Sequence, residues 1–377
     1  MATSASPPSF LDILTLVKSA RLYRFGLPLE SPIVLKSGTL DRREGLILTL
    51  TDDEGNVGAG EMSPLPGFSA EHLDAVLIEA SILVNKVGAD AGRSGIAERW
   101  ESAGRFHPSL PYYGLETALI SLLAARSKTH IGNILIGASR EKIAINGLIN
   151  GSLSNWVPEA QQAIHSGFKT LKIKVGRINH ELEARGILEI REQVGQDIKL
   201  RLDANRSWDL NTALEFGRLV EPCQIEYIEE PLKLPIQLPR FFDGCGLHFA
   251  FDESLYRDVD SRTSFDSYTG LKALVMKPML IASTSRLMVL ANQARENGLL
   301  SVISSSYESD VGLTYLAQLA SSLGNEDTAM GLDTGSVFSG HTLRDLLSIR
   351  DGWMYPPLLI KTDLDLSYCE LIMASDQ

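Results

Sequence analysis

Hydrophobic and polar positions follow two different patterns along the chain, and the change comes near residue 141. Before that point, residues 18–62 show short apolar stretches separated by turn residues, which predicts a meander of strands. Residues 70–87 and 113–125 then have apolar positions near helical spacing, so each is predicted to form a helix. Strands followed by helices favour a small α+β domain.

After residue 141 the chain repeats one unit: a short apolar stretch, a polar turn and a helical stretch. The predicted strands begin about 23 to 28 residues apart, which is enough for a strand, a crossover helix and the next parallel strand. They are Ile143–Leu148, Thr170–Val175, Ile198–Asp203, Ile225–Glu229, His248–Asp252, Lys272–Lys277 and Leu300–Ser304. Seven such units in series indicate a closed parallel barrel rather than an open sheet.

The C-terminal tail is predicted to leave the barrel. Its stretch Leu358–Lys361 has the composition of a strand, and we expect this tail to return to the first domain. The predicted organisation is therefore an α+β domain over residues 1–135, a barrel over 136–345 and a returning segment over 346–377.

Composition narrows the class of protein. With 44% hydrophobic and 22% charged residues in 377 positions, the chain can bury a sizeable core. The formal net charge of −12 argues against nucleic acid as a partner, whereas a small anionic substrate stays compatible if a cation is bound. The sequence shows no secretory signal and no membrane-spanning stretch, and its three cysteines are widely spaced. We therefore expect a soluble, cytoplasmic protein with free thiols, whose oligomeric state the sequence leaves open.

Charged residues stand at the C-terminal ends of five consecutive predicted strands. In a parallel barrel these ends form one face, so the side chains should meet there. Strand residues alternate between two faces, and the apolar residues must face the helices, which turns the charged ones into the barrel. Charge in that place is costly unless it is paired or bound to a metal. The residues are Lys172, Lys174, Asp203, Glu229, Asp252 and Lys277.

Three carboxylates, those of Asp203, Glu229 and Asp252, come from adjacent predicted strands and form an all-oxygen set. Such a set is typical of a Mg²⁺ site, with Mn²⁺ as the alternative ion. The competing interpretation is three surface carboxylates near helix N-termini. Their corresponding positions at three successive strand ends favour the metal site.

Lys172 and Lys174 form a like-charge pair in a partly buried place. Proximity and burial both lower the pKa of a lysine, which predicts a base near neutral pH; two solvated lysines are the competing interpretation. Lys277 is expected across the barrel. Cations on both sides of a metal-bound carboxylate suit removal of the proton alpha to it, because the resulting enediolate is doubly charged.

The motifs K-x-K, D-x-N, E-E-P, D-E-S and K-P on successive strands resemble those of the enolase superfamily, in its muconate-lactonising subgroup. The resemblance implies a modified TIM barrel, (β/α)7β, with an α+β capping domain built from the N-terminal part and the C-terminal tail. It implies that the three carboxylates bind the metal and that Asn205 and Glu253 support them. It also implies that Lys174 is the general acid and base, while Lys172 tunes it and touches the substrate carboxylate.

Within the superfamily, residues from about 20 to 345 resemble the o-succinylbenzoate synthase family. The stretches that carry this resemblance are YRFGLPL (23–29), GEMSPLPGFS (60–69), SSSYESDVGL (304–313) and GLDTG (331–335). The first two are then capping loops that close over the substrate, with Phe68 lining the pocket. The last two lie at the ends of the seventh and eighth strands. The residues implied to hold the succinyl carboxylate are Ser304, Ser305, Ser306 and Gly331.

The implied reaction is a syn dehydration of 2-succinyl-6-hydroxy-2,4-cyclohexadiene-1-carboxylate to o-succinylbenzoate, a step of menaquinone or phylloquinone biosynthesis. Lys174 would remove the ring proton and return a proton to the departing hydroxide, while Lys277 lies over the other face of the ring. Arg201 shares the inward face with Asp203. It either orients groups of the site or forms an ion pair with Asp203 or Glu229.

Other functions on the same scaffold stay open at this point. N-acylamino acid racemisation, dipeptide epimerisation and muconate cycloisomerisation share the metal and the proton abstraction, and Lys174 with Lys277 would supply the two bases that racemisation needs. The capping-loop motifs favour the dehydration. A catalytically silent metal-binding scaffold is the alternative of another class, and the presence of all three carboxylates and the lysines argues against it.

Overall fold

The computed structural model describes residues 10–35, 38–89, 92–96, 109–258, 264–325 and 327–376. The strands are β1 Val17–Leu35, β2 Gly38–Asp52, β3 Val57–Met62, β4 Ile143–Ala144, β5 Gly147–Ile149, β6 Thr170–Lys174, β7 Lys199–Asp203, β8 Tyr227–Glu229, β9 Phe249–Phe251, β10 Leu271–Met276, β11 Leu300–Ile303, β12 Ile349–Arg350, β13 Trp353–Met354 and β14 Cys369–Asp376. The helices are α1 Phe10–Leu16, α2 Leu73–Val87, α3 92–96, α4 Leu110–Arg126, α5 Ile131–Leu135, α6 Trp156–His165, α7 His180–Val194, α8 Leu210–Leu219, α9 Leu238–Cys245, α10 Glu253–Arg257, α11 Pro278–Ile281, α12 Thr284–Glu296 and α13 Asp310–Leu323.

The N-terminal strands form an antiparallel sheet in the order β14-β1-β2-β3, which α2 and α4 cover on one face. Alternation along β2 decides which core each side chain joins. Leu46 and Leu48 pack with the helices of this cap, whereas Ile47 between them belongs to the core of the barrel. The sheet is therefore buried on both faces and forms the layer that joins the two parts of the molecule.

The C-terminal tail returns to the cap, but through a different segment from the one we predicted. Leu358–Lys361 is not a strand; β14, further along, pairs antiparallel with β1. Pro356 and Pro357 directly precede the predicted stretch and have no N–H to donate to a ladder, and Leu358 is exposed. The exact domain boundaries remain a prediction.

The strands β5 to β11 form one parallel sheet in sequence order. The segment at Met330–Gly331 takes the place of an eighth strand: Met330 bridges Ile145 and Gly331 bridges Ser304, both in parallel sense. The Met330 N–H donates to Ala144 O at 2.8 Å and the Gly331 N–H to Ile303 O at 2.9 Å. These bonds close the sheet, so the predicted (β/α)7β barrel with its capping domain is confirmed.

Side chains of the barrel strands alternate as the sequence predicts. Leu171, Ile173, Leu200 and Leu202 are fully buried in the layer between the strands and the outer helices. A separate small cluster fills the interior of the barrel; it consists of Tyr227, Ala250, Ala273, Val275 and Val302. The charged partners of the outward apolar residues therefore face the barrel axis.

Within the described part of the chain, no helix combines the length and the apolar character that crossing a membrane requires. Cys223, Cys245 and Cys369 are all free thiols.

Glu116 on α4 gives a testable consequence of the contact between cap and barrel. Its carboxylate is buried and accepts the Thr284 N–H at 3.0 Å, at the start of α12. Burial raises the pKa of Glu116 to about 7, from 4.5 in the unfolded chain. The unfolded chain therefore loses this proton first, and stability falls as pH rises between about 4.5 and 7.

We expect Glu116→Gln to be more stable than the wild type at pH 8 by up to about 3 kcal/mol, and to lose this advantage near pH 4.5. The glutamine keeps the acceptor for Thr284 and carries no charge that must be buried. Urea denaturation at the two pH values measures the effect. Glu189→Gln, on an exposed position of α7, is the control and should show no such pH dependence; an equal stability difference at both pH values would contradict the prediction.

Candidate active site

Three carboxylates meet at the C-terminal ends of the barrel strands. The register of the parallel sheet places Lys174 beside Asp203 and Asp203 beside Glu229, and Asp252 directly follows β9. Ligand oxygens of Asp203, Glu229 and Asp252 lie within 4.8 Å of one another, and all three side chains are buried. The barrel face predicted from strand-end positions therefore exists.

The two lysines of β6 bind these carboxylates directly. Lys172 Nζ lies 2.5 Å from Glu229 Oε2 and 3.1 Å from Asp203 Oδ2. Lys174 Nζ lies 2.6 Å from the same Asp203 Oδ2 and donates to Asn205 Oδ1 at 2.9 Å. The side chain of Lys174 is 20% exposed against 9% for Lys172, so Lys174 is the more accessible of the two.

We call Asp203, Glu229 and Asp252 the carboxylate row. Lys277 lies at its other end, where the ammonium group donates a hydrogen bond to Asp252 Oδ2. Tyr256, on α10, belongs to the same region; burial raises the pKa of its phenol, and the charge of Asp252 raises it further. Its hydroxyl is buried and makes no hydrogen bond among the described residues. Sequence reasoning missed Tyr256; its place four residues after Asp252, one helical turn on, was the signal available.

The charge balance contradicts the expected lowering of the pKa for Lys172. Burial lowers the pKa of Lys172, but the charges of Asp203 and Glu229 raise it further, so the net shift is upward; Lys277 beside Asp252 behaves in the same way. Burial, together with repulsion by the other two carboxylates, raises the pKa of Glu229 to about 7 although Lys172 opposes it. The error came from considering only the repulsion between Lys172 and Lys174. The carboxylates of Asp203 and Glu229 outweigh that repulsion at Lys172.

The donor set fits a hard divalent cation. All the converging atoms are carboxylate oxygens, the ligands that Mg²⁺ and Mn²⁺ prefer. Asp252 Oδ1 and Glu253 Oε2 are buried and have no hydrogen-bond partner in the described part of the chain. Asn205 donates its N–H to Asp203 Oδ1 at 3.1 Å and its amide to Glu253 Oε1 at 3.1 Å. Asn205 and Glu253 thus lie beside the carboxylates they are predicted to support.

Arg201 forms its ion pair with a different carboxylate from the two that the sequence suggests. Its Nε donates to Glu226 Oε2 at 2.6 Å and its Nη1 to Ala329 O at 2.7 Å, so the ion pair is with Glu226 and not with Asp203 or Glu229. Arg201 is opposite Tyr227 in the parallel register, which places Glu226 within reach. A role of Arg201 in orienting the site remains a prediction.

The serines after β11 come together with Gly331, as the two strand-end motifs imply. Ser304 bridges Gly331, and the Ser305 N–H donates to Gly331 O at 2.9 Å. The Ser305 hydroxyl is used internally, because it donates to Glu308 Oε2 at 2.6 Å and accepts from Thr334 Oγ1 at 2.8 Å. The neighbouring hydroxyl of Ser306 is buried and has no hydrogen-bond partner among the described residues.

The two motifs predicted as capping loops differ in conformation. Residues 23–29 form part of β1 and are not a loop: residues 23–28 pair with β2 on one side, and residues 23–25 pair with β14 on the other. Their end reaches the barrel, where Leu29 bridges Phe338. Residues 63–69 do form a loop after β3; it carries the half-buried Phe68, and Gly67 O accepts a hydrogen bond from Arg257 on α10 at 3.2 Å.

Two buried charges that sequence reasoning missed fix this loop to the barrel. Glu61 accepts the Ser309 N–H at 3.0 Å and the Gly312 N–H at 2.9 Å, so a cap residue neutralises the N-terminus of α13. Arg43 is fully buried and donates to Pro64 O at 2.8 Å and to Tyr307 O at 2.9 Å. The G-E-M motif contained Glu61, but a contact across 248 positions leaves no local pattern.

Comparison with known proteins defines the class first. The family described as enolase C-terminal domain-like matches residues 155–359, more than half of the chain. A dipeptide epimerase from Cytophaga hutchinsonii, solved with Mg and a dipeptide, superposes with a TM-score of 0.80 at 23% identity, covering 96% of this chain and 100% of that one. A muconate lactonizing enzyme from Pseudomonas fluorescens gives a TM-score of 0.80 at 17% identity, with 94% and 99% covered. The chain is a member of the enolase superfamily.

Relatives found by sequence comparison identify the family within this superfamily. The family described as MenC, N-terminal domain, matches residues 17–122. The o-succinylbenzoate synthase of Pectobacterium atrosepticum is 36% identical over 325 residues, which cover 84% of this chain and 90% of that protein. That of Vibrio cholerae is 33% identical over 326 residues, with 85% and 91% covered. The chain belongs to the o-succinylbenzoate synthase family.

Proposed function

We propose that this chain catalyses the syn dehydration of 2-succinyl-6-hydroxy-2,4-cyclohexadiene-1-carboxylate to o-succinylbenzoate. The observation that carries the proposal is the convergence of Lys174, Lys277 and three buried carboxylates in a chain of this family. The reaction starts with removal of a proton beside a carboxylate, and these groups supply a base on one side and a cation on the other.

We propose Mg²⁺ as the cofactor, with Mn²⁺ as a substitute, held by Asp203, Glu229 and Asp252. When bound, the ion supplies positive charge to the oxygens of the substrate carboxylate, which acidifies the neighbouring C–H. With an ion held there, Lys172 and Lys174 would no longer serve as the main counter-charges of the three carboxylates. The side chains of Lys172 and Lys174 would then be available to the substrate.

Lys174 is proposed as the base because it is the more exposed lysine of the pair and still reaches the carboxylate row. Its neutral Nζ takes the ring proton next to the carboxylate. The same proton then passes to the hydroxyl at the adjacent carbon, the C–O bond breaks, and water leaves as the ring becomes aromatic. Lys172 is proposed to contact the substrate carboxylate, and Lys277 to stabilise the negative charge of the ring from its other face.

The capping loop at residues 63–69 is proposed to keep bulk water away from the ring while Lys174 holds the proton. Phe68 would provide an apolar wall, since Arg257 joins this loop to the helix after Asp252. Ser304, Ser306 and Gly331 are proposed to bind the succinyl carboxylate through hydroxyl and backbone donors, and Ser305 to hold that segment in shape. A cytoplasmic location and a small carboxylate as the partner complete the proposal.

The test is an assay of the purified protein with the cyclohexadiene carboxylate, first with Mg²⁺ and then with excess EDTA. We expect Mg²⁺-dependent loss of the diene absorbance with o-succinylbenzoate as product, and at least a 100-fold lower rate in EDTA (an order-of-magnitude expectation for loss of a Lewis acid). A rate unaffected by EDTA would refute the metal-dependent mechanism. No turnover with Mg²⁺ present would refute the dehydration.

Racemisation of N-acylamino acids is the second candidate, and one observation favours it. Lys174 contacts Asp203 and Lys277 contacts Asp252, so bases stand at both ends of the carboxylate row, as a two-base racemase requires. We expect Lys277→Ala to abolish any racemisation while dehydration, which needs one base, continues at a reduced rate. Equal loss of both activities would contradict this division of roles; polarimetry and the diene assay measure the two.

A further inference from the structure

Glu230 directly follows the carboxylate Glu229 and has no role in the proposed chemistry, yet its side chain is fully buried. Its Oε1 accepts the N–H of Asp252 at 2.9 Å and the N–H of Ser254 at 2.8 Å. Its Oε2 accepts the Ser254 hydroxyl at 3.1 Å and Arg206 Nε at 3.1 Å. The carboxylate of Glu230, just after β8, thus accepts hydrogen bonds from the backbone on both sides of Glu253, where β9 leads into α10.

Arg206 extends this contact to the loop after β7. Its N–H donates to Glu230 O at 2.6 Å, and its guanidinium reaches the Ser254 hydroxyl at 2.7 Å as well as Glu230. The three strands that supply Asp203, Glu229 and Asp252 are therefore joined just beyond their ends by Glu230 and Arg206. We call this pair the loop brace.

The backbone around the loop brace is strained. Asn205, Arg206 and Glu230 have φ values of 45°, 59° and 41°, in the left-handed region that residues with a Cβ seldom adopt. Such a conformation persists only where the surroundings fix it, and it clusters at functional sites. Here the strained residues lie one to three positions after Asp203 or Glu229, so the strain is stored where the carboxylates must converge.

Glu230 itself is not suited to be a ligand of the ion. Both of its oxygens already accept hydrogen bonds from the protein, whereas Asp252 Oδ1 accepts none from the described residues. Glu230 contacts the main-chain N–H of Asp252 directly, and its other contacts are with Ser254 and Arg206. Through the Asp252 N–H it can act on an ion by fixing the position of the Asp252 carboxylate.

We propose that Glu230 is a positioning residue of the metal site, which holds Asp252 at the distance from Asp203 and Glu229 that a divalent ion requires before the ion arrives. The inference rests on the proposed metal site but not on the proposed dehydration. Groups that orient metal ligands in this way change metal affinity by about 10- to 100-fold when they are removed.

The experiment is a calorimetric titration of the EDTA-treated full-length protein with Mg²⁺ and, separately, with Mn²⁺. We expect Glu230→Ala to raise the Kd for both ions by about 10- to 100-fold. Glu230→Gln should raise it less, because its amide oxygen still accepts the two N–H groups, and only the contacts that Oε2 accepts from Arg206 and from the Ser254 hydroxyl are lost. In the diene assay, Glu230→Gln should need more Mg²⁺ for half-maximal rate but approach the wild-type kcat at saturating Mg²⁺.

Glu61→Ala is the matched control, since Glu61 is also buried and also accepts two backbone N–H groups of another element, far along the barrel at α13. It should lower thermal stability without changing the Mg²⁺ Kd. A Kd for Glu230→Ala within about two-fold of the wild type, or an equal rise in Glu61→Ala, would overturn the inference. If Glu230→Ala does not fold, Glu230→Gln decides, and a Kd within about two-fold of the wild type would then overturn the inference. If Glu61→Ala does not fold, Glu61→Gln replaces it as the control. Absence of Mg²⁺ binding by the wild type would instead refute the proposed metal site.

Discussion

Lys174→Ala is expected to lower kcat for the dehydration by about 10⁴-fold, the upper end of what a positioned acid–base group contributes. The size follows from the double role of this residue, which first removes the ring proton and then delivers it to the departing hydroxide. Lys172 is too enclosed to replace it, because its ammonium group lies between Asp203 and Glu229 at 3.1 and 2.5 Å. The diene assay at saturating Mg²⁺ measures the loss.

The alanine variant should bind Mg²⁺ at least as tightly as the wild type, since it removes a cation that competes for Asp203 Oδ2. Lys169→Ala is the matched control: this exposed lysine directly precedes β6, at the opposite end of the strand that ends in Lys174. We expect it to retain the wild-type kcat. Turnover by Lys174→Ala within ten-fold of the wild type would exclude Lys174 as the base and point to Lys277.

The barrel and its carboxylate row could be predicted because both depend on local pattern. Alternation of apolar and charged residues along β6 and β7 specifies which side chains face inward, and the parallel topology then brings the strand ends together. The prediction for the tail was wrong although it also used a local pattern: Leu358–Lys361 has a strand-like composition, but two prolines precede it and Leu358 is exposed.

Other features depend on contacts that no local pattern encodes. The partner of Arg201 is Glu226, whose proximity follows from the register between β7 and β8 and not from the spacing along either strand. Glu61 and Arg43 act between the cap and the loop after β11, across more than 200 positions. Their burial with satisfied hydrogen bonds, rather than their motif, identifies them as the groups that hold the capping loop in place.

The lysine pKa values show a further limit of reasoning from neighbouring residues. A K-x-K pair considered alone predicts mutual repulsion and a lowered pKa. In the folded protein Lys172 lies 2.5 Å from the buried carboxylate of Glu229, and the charges of Asp203 and Glu229 raise the pKa of Lys172 although burial opposes them. The proposed base, Lys174, shares Asp203 with Lys172, and this shared contact links the proposed base to the proposed metal site.

Asp203→Asn tests this link, and we expect it to affect metal binding, catalysis and stability together. Asp203 Oδ2 contacts both Lys172 and Lys174, and Oδ1 accepts the Asn205 N–H. The amide keeps the shape but removes the charge, and an NH₂ group in place of Oδ2 would face two ammonium groups. The Mg²⁺ Kd should rise by more than the roughly 100-fold that loss of an outer partner costs.

At saturating Mg²⁺ the kcat of Asp203→Asn should still be at least about 10²-fold below that of the wild type, because Lys174 loses the carboxylate that positions it. Without metal, urea denaturation should show a loss of about 3 kcal/mol, as expected when a buried ion pair loses one partner. Asp197→Asn is the control, an exposed carboxylate just before the start of β7, and should change none of the three quantities. Full recovery of kcat by excess Mg²⁺ would mean that Asp203 acts through the ion alone and that Lys174 is positioned by Asn205.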